Sequence, residues 1–153
     1  MKTILIPLAI VCAIACNNVQ STSSKISQST DSENTTAKVT HFRGAISNGM
    51  KGDSLFFDLS VDGKRVENLT FKGWWRCSGK LEQLTAAGPE GSFAVVNGKV
   101  DGHIAEPPNG GSTAWRFELK AAINNKKAAG TFRMNINNLG CDSYVLKFDA
   151  TAL

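Results

Sequence analysis

Residues 69–77 read LTFKGWWRC. Leu69, Phe71, Gly73, Trp75 and Cys77 alternate with Thr70, Lys72, Trp74 and Arg76. A helix would bring apolar residues back every third or fourth position, whereas a period of two belongs to a strand with one buried and one wet face. The same period recurs on either side of this stretch. Leu55, Phe57, Leu59 and Val61 share one phase, as do Trp115, Phe117, Leu119, Ala121 and Ile123. Ala128, Gly130, Phe132, Met134 and Ile136 form another set, and Tyr144, Leu146 and Phe148 close the chain on an inward phase.

The punctuation between these runs is that of hairpins. Asp62-Gly63 and Asn97-Gly98 are two-residue turn signals, because both central positions of a type I′ turn need positive φ. Asn124-Asn125 is a weaker third. Residues 106–112, with two prolines and two adjacent glycines, form a loop, since proline donates nothing to a ladder. Only 81–87 leaves room for a turn of helix. The reading is an all-β domain over 38–153, an antiparallel β-sandwich of about eight or nine strands.

The residues before 38 are of another kind. A lysine is followed by an apolar run of 11 residues, 4–14. That is short of the ~20 residues a membrane span requires and suits a signal-peptide core. The stretch Ala13-Ile14-Ala15-Cys16 resembles the bacterial lipobox, with Ala13 where Leu is commonest. The resemblance implies a signal peptide over 1–15, diacylglycerol (and palmitate) on Cys16, and anchoring of Cys16 as the mature N-terminus. Asn17 after the cysteine, in place of Asp, implies the outer membrane by likeness to the enterobacterial sorting rule. Ten of the 21 residues in 17–37 are Ser or Thr, so this segment reads as a disordered tether. As a coil it reaches on the order of 25 Å.

Cysteine parity then bears on the domain. With Cys12 removed in the signal and Cys16 acylated, Cys77 and Cys141 remain, and an exported chain is expected to join them. The domain also resembles a bacterial group of small exported all-β domains with no assigned activity. The residues that carry the resemblance are Phe42-Arg43-Gly44, Cys77, Ala129-Gly130-Thr131-Phe132 and Gly140-Cys141. It implies a fold and a disulfide, and no reaction.

For function, the net charge of +4 comes from singly spread basic residues, which argues against nucleic acid as a partner. Neither His41 nor His103 has a third ligand near it in sequence, so no metal or cofactor is expected. No nucleophile motif frames a serine. Asp101, His103 and Glu106 would make a hydrolase only if one cleft held all three. The more informative residue is Trp74. Alternation sends it outward between Lys72 and Arg76, with Phe56 off-face on the neighbouring strand as its expected cross-strand companion. Trp74, Phe56, Lys72 and Arg76 are therefore the candidate ligand-binding residues. The resulting expectation is a membrane-anchored envelope lipoprotein, a non-catalytic binding module for a glycan, protein or small ligand. The alternative is an inhibitor or immunity-like lipoprotein that blocks an enzyme with the 106–112 loop.

Overall fold

The computed structural model describes residues 38–48 and 50–153. The signal segment, Cys16 and the tether lie outside the described residues. Ten strands follow in order: β1 (Thr40–Ile46), β2 (Ser54–Leu59), β3 (Arg65–Cys77), β4 (Lys80–Ala87), β5 (Phe93–Ala94), β6 (Lys99–Glu106), β7 (Trp115–Ile123), β8 (Lys127–Ile136), β9 (Cys141–Asp142) and β10 (Leu146–Ala152). Among the described residues a single 3-10 turn covers Asn137–Leu139. The domain is all-β, as the period of two requires. The anticipated helical turn at 81–87 is instead β4. Ser78 and Gly79 both take positive φ (49° and 80°), so a tight turn folds Lys80 back onto Cys77 and continues the ladder.

The expected sandwich is corrected to a closed ring with added strands. The pairings run β10-β1-β2-β3-β9-β8-β7-β6, and β10 pairs again with β8, which closes β10, β1, β2, β3, β9 and β8. A sandwich needs two separate sheets. Here two long strands prevent the separation. β3, with 13 residues, pairs with β2 along its first part and with β9 at its end. β8, with 10 residues, pairs with β10 and then with β9. β4 and β5 hang from β3, while β7 and β6 continue beyond β8.

The core is filled chiefly by phenylalanine. Of the eight in the chain, Phe42, Phe57, Phe71, Phe93, Phe117, Phe132 and Phe148 are fully buried, each contributing about 1.5–3 kcal/mol by leaving water. Trp75 is buried as its phase demands and stacks on Trp115 at 5.3 Å, which in turn stacks on Phe117 at 6.1 Å. Register sets Arg76 opposite Asp142, so Cys77 and Cys141 meet across adjacent strands and are bonded. Asn97 and Gly98 take φ of 51° and 70°, the pair of positive values that a type I′ turn needs. Val61 does not continue β2: it is exposed in the turn, where Asp62 accepts hydrogen bonds from the Ser60 hydroxyl and the Lys64 amide.

Candidate ligand-binding groove

The ladder along one edge of β3 is interrupted at Trp74. Pairing with β2 ends at Lys72, opposite Ser54, and pairing with β9 is at Arg76, opposite Asp142. With no strand in between, the Trp74 amide donates to the Asp53 carboxylate at 3.2 Å. Asp53 is buried, and its Oδ2 also accepts the Asn48 side-chain amide at 2.7 Å. Gly73 makes this possible. A Cβ at that position would stand 2.6 Å from the Asp53 carboxyl carbon and 2.7 Å from the Phe71 ring. The glycine in the opening stretch is thus the opening through which a buried carboxylate reaches the backbone of Trp74.

The opposite wall comes from an irregularity between β9 and β10. Asp142 pairs with Asn135 and Leu146 with Phe132, so 143–145 face only Arg133 and Met134. One residue is extra, which makes this a β-bulge. Tyr144, the one tyrosine of the chain, sits in it with φ 56° and is 60% exposed. Left-handed backbone is costly for an aromatic residue, and such strain persists only where neighbours impose it. They do so here. The Asp142 carboxylate accepts the Tyr144 amide at 2.7 Å, and the Ser143 hydroxyl donates to the Tyr144 carbonyl at 2.9 Å. Ser143 is itself held on Met134 by two hydrogen bonds of 2.9 Å. Asp142 is clamped by the Arg133 guanidinium at 2.6 and 3.1 Å, a hydrogen bond that raises the pKa of Arg133 further above its ordinary value.

Between the interrupted edge and the bulge lies a groove of about 280 Å³. Trp74, Met50, Leu81, Tyr144 and Val145 give it apolar walls, and Asn48, Arg76 and Asp142 add polar groups. Met50, Leu81, Tyr144 and Val145 are all exposed, and Trp74 is half-buried. Grouped exposed apolar side chains of this kind mark interaction sites, whereas single ones are ordinary.

The sequence-based candidates divide. Trp74 and Arg76 line the groove, and Lys72 lies beside them, exposed on the outward phase of β3. Phe56 does not join them. Register places it opposite Thr70, four residues short of Trp74, so the two aromatics are not cross-strand neighbours. Phe56 instead lies beneath the Arg43 guanidinium, 5.6 Å from the ring centre. Tyr144, expected on the inward phase, points out because the bulge reverses the alternation. Asp53, Met50 and Val145 carried no signal of their own.

Of the groups considered for chemistry, Asp101 and His103 line one concavity with Glu118 and Lys120, and Glu106 lies outside it. His103 lies opposite Glu118, and Asp101 pairs with Lys120 at 3.4 Å on the same face. Glu106 has the other phase on β6, and its carboxylate accepts the Glu90 amide at 2.6 Å. His41 has a partner that spacing did not reveal: Nδ1 lies 2.6 Å from Asp58, whose other oxygen accepts the Asn68 side-chain amide at 2.8 Å. Among the described residues no group of three or more His, Cys, Asp or Glu is placed to hold a metal. The 106–112 loop is braced by residues outside it. Arg116 donates to the carbonyls of Gly111 and Ala114 at 3.0 and 3.2 Å, and Ser112 accepts the Asn138 amide at 3.1 Å.

Compared with protein-family models, with curated proteins and with solved structures, the chain matches none of them.

Proposed function

We propose that this protein is a lipid-anchored bacterial envelope protein whose domain is a non-catalytic binding module, with the groove between Trp74 and Tyr144 as its recognition surface. The observation that carries the reading is Tyr144. Its backbone is held in a disfavoured conformation by Asp142 and Ser143, while its ring is left in solvent beside other exposed apolar groups. Folding gains little from an exposed ring at a strained position, and such a ring suits contact with a ligand that covers it. The lipid on Cys16 and the tether over 17–37 supply the anchor and reach, in the outer membrane by the residue after the cysteine.

The test is a photo-crosslinking phenylalanine analogue at position 144, with a control at position 61, exposed in the turn at the far end of β3 from Trp74. Irradiation in intact envelopes should give a discrete adduct from 144 and none from 61. Equal yields from both, or none from 144, would count against the groove. Growth with a labelled fatty acid tests the anchor: wild type should take up label and Cys16→Ser should not.

The second reading, an inhibitor acting through 106–112, is favoured by the bracing of that loop by Arg116 and Asn138, since a preorganised loop loses little entropy on docking. A crosslink from position 109, and none from 144, would select it.

A further inference from the structure

The groove's hydrogen-bonding capacity is one-sided. The one carboxylate that lines it, Asp142, is already engaged by Arg133 and the Tyr144 amide, and the buried Asp53 is taken up by Asn48 and the Trp74 amide. The Asn48 side-chain oxygen is taken by the Met50 amide. What remains for a ligand is mostly donors. Arg76 spends one N–H on the Gly79 carbonyl at 3.4 Å and keeps the rest of its fork, and the Tyr144 hydroxyl is exposed. Lys72 and Arg76 flank Trp74 on the outward face of β3, and neither makes an ion pair among the described residues. The walls are aromatic and aliphatic, and the space is about 280 Å³, enough for one ring with a chain leaving at either side.

A ligand that fits has an apolar ring face for Trp74 and Tyr144 and an anionic group for Arg76 and Lys72. A cation would be repelled. A neutral sugar would find few free acceptors for its hydroxyl groups. A lipid surface would need the apolar groups to project, whereas here they border a recess with Trp74 half-buried in it. Resting on the groove reading above, we infer that the occupant is an acidic glycan: one sugar ring stacked between Trp74 and Tyr144, its carboxylate bound by the Arg76 fork with Lys72 beside it. Such a carboxylate is supplied by uronic acid chains or by the lactyl group of muramic acid, and the two sources share this chemistry.

The experiment titrates the intact domain, followed by amide chemical shifts, with a galacturonate oligomer, its fully methyl-esterified form, a muramic-acid-containing oligosaccharide, and phosphatidylglycerol vesicles. At least one acid form should shift residues 74–76 and 143–145. It should bind about tenfold or more tighter than the ester, the factor that one charge-assisted hydrogen bond supplies. Which acid binds identifies the source. Arg76→Gln should remove the preference for the acid, and Arg76→Lys should restore part of it. Tyr144→Gly, which relieves the backbone and so keeps the fold, should weaken both forms. Equal binding of acid and ester would overturn the inference while leaving the groove as the site. Shifts away from the groove, binding unchanged in Arg76→Gln and in Tyr144→Gly, a response to vesicles only, or no binding by any probe would overturn it as well. In those cases crosslinking at 144 decides separately whether the groove is used at all.

Discussion

Replacing Tyr144 separates what this residue does for folding from what it does for recognition. Tyr144→Gly and Tyr144→Ala remove the same ring, which is 60% exposed and so buries little. They differ only in a Cβ on a backbone with φ 56°. Left-handed conformation costs a non-glycine residue about 1–2 kcal/mol. Glycine gives back about 0.5–1 kcal/mol through the greater freedom of its unfolded chain. The glycine variant should therefore be more stable than the alanine variant by about 0.5–1 kcal/mol, which is about 2–5 °C in Tm for a domain of this size. It should also equal or exceed wild type. Paired thermal and denaturant melts measure both differences. A glycine variant less stable than alanine, or less stable than wild type by more than about 1 kcal/mol, would refute the reasoning. The ring would then be a packing element and its exposure would carry no functional meaning.

Three further outcomes follow from the same geometry. Gly73→Ala forces a methyl group against Asp53 and Phe71, so the domain should lose at least about 2 kcal/mol through overpacking and through the unpaired Trp74 amide; an unchanged denaturant midpoint would contradict this. Joining Cys77 to Cys141 closes a separation of 64 residues, and the double change to alanine should cost about 4 kcal/mol in the chain-entropy account. The Ser60 hydroxyl, and then the Lys64 amide, hold the Asp62 carboxyl below its ordinary pKa. Its contribution to stability is thus present above the unfolded value and lost as pH falls through the lower folded one. Carboxyl NMR should find Asp62 titrating below free aspartate, and Ser60→Ala should move it upward.

Much of the fold was legible because a period of two is a direct consequence of a half-buried sheet. Trp75 inward, Trp74 outward and the Asn97-Gly98 turn follow from local rules, and the Cys77–Cys141 bond was expected from cysteine parity. Closure was not legible, since nothing local says that one edge of β3 serves two partners in turn. The bulge left a trace that alternation alone passes over. Cys141 and Leu146 are both buried, yet they stand an odd number of residues apart, and a regular strand cannot put both on one face. One inserted residue resolves the conflict, and it is this insertion that turns Tyr144 outward. Phe56 shows the reverse limit. Its outward phase was readable, but the register that sets it on Thr70 instead of Trp74 depends on where β2 begins. Asp53 was hidden because its partner is a backbone amide, which has no signature in the side-chain pattern.

Hydroxyl-radical footprinting of Trp74 and Tyr144, in intact cells and in the purified domain, tests the recognition surface without naming its ligand. Both side chains should be strongly protected in the cell and reactive once purified, while Val61, exposed on a distant turn, should react equally in the two settings. Equal reactivity of Trp74 and Tyr144 in both settings would contradict the assignment of this groove as the working surface of the protein.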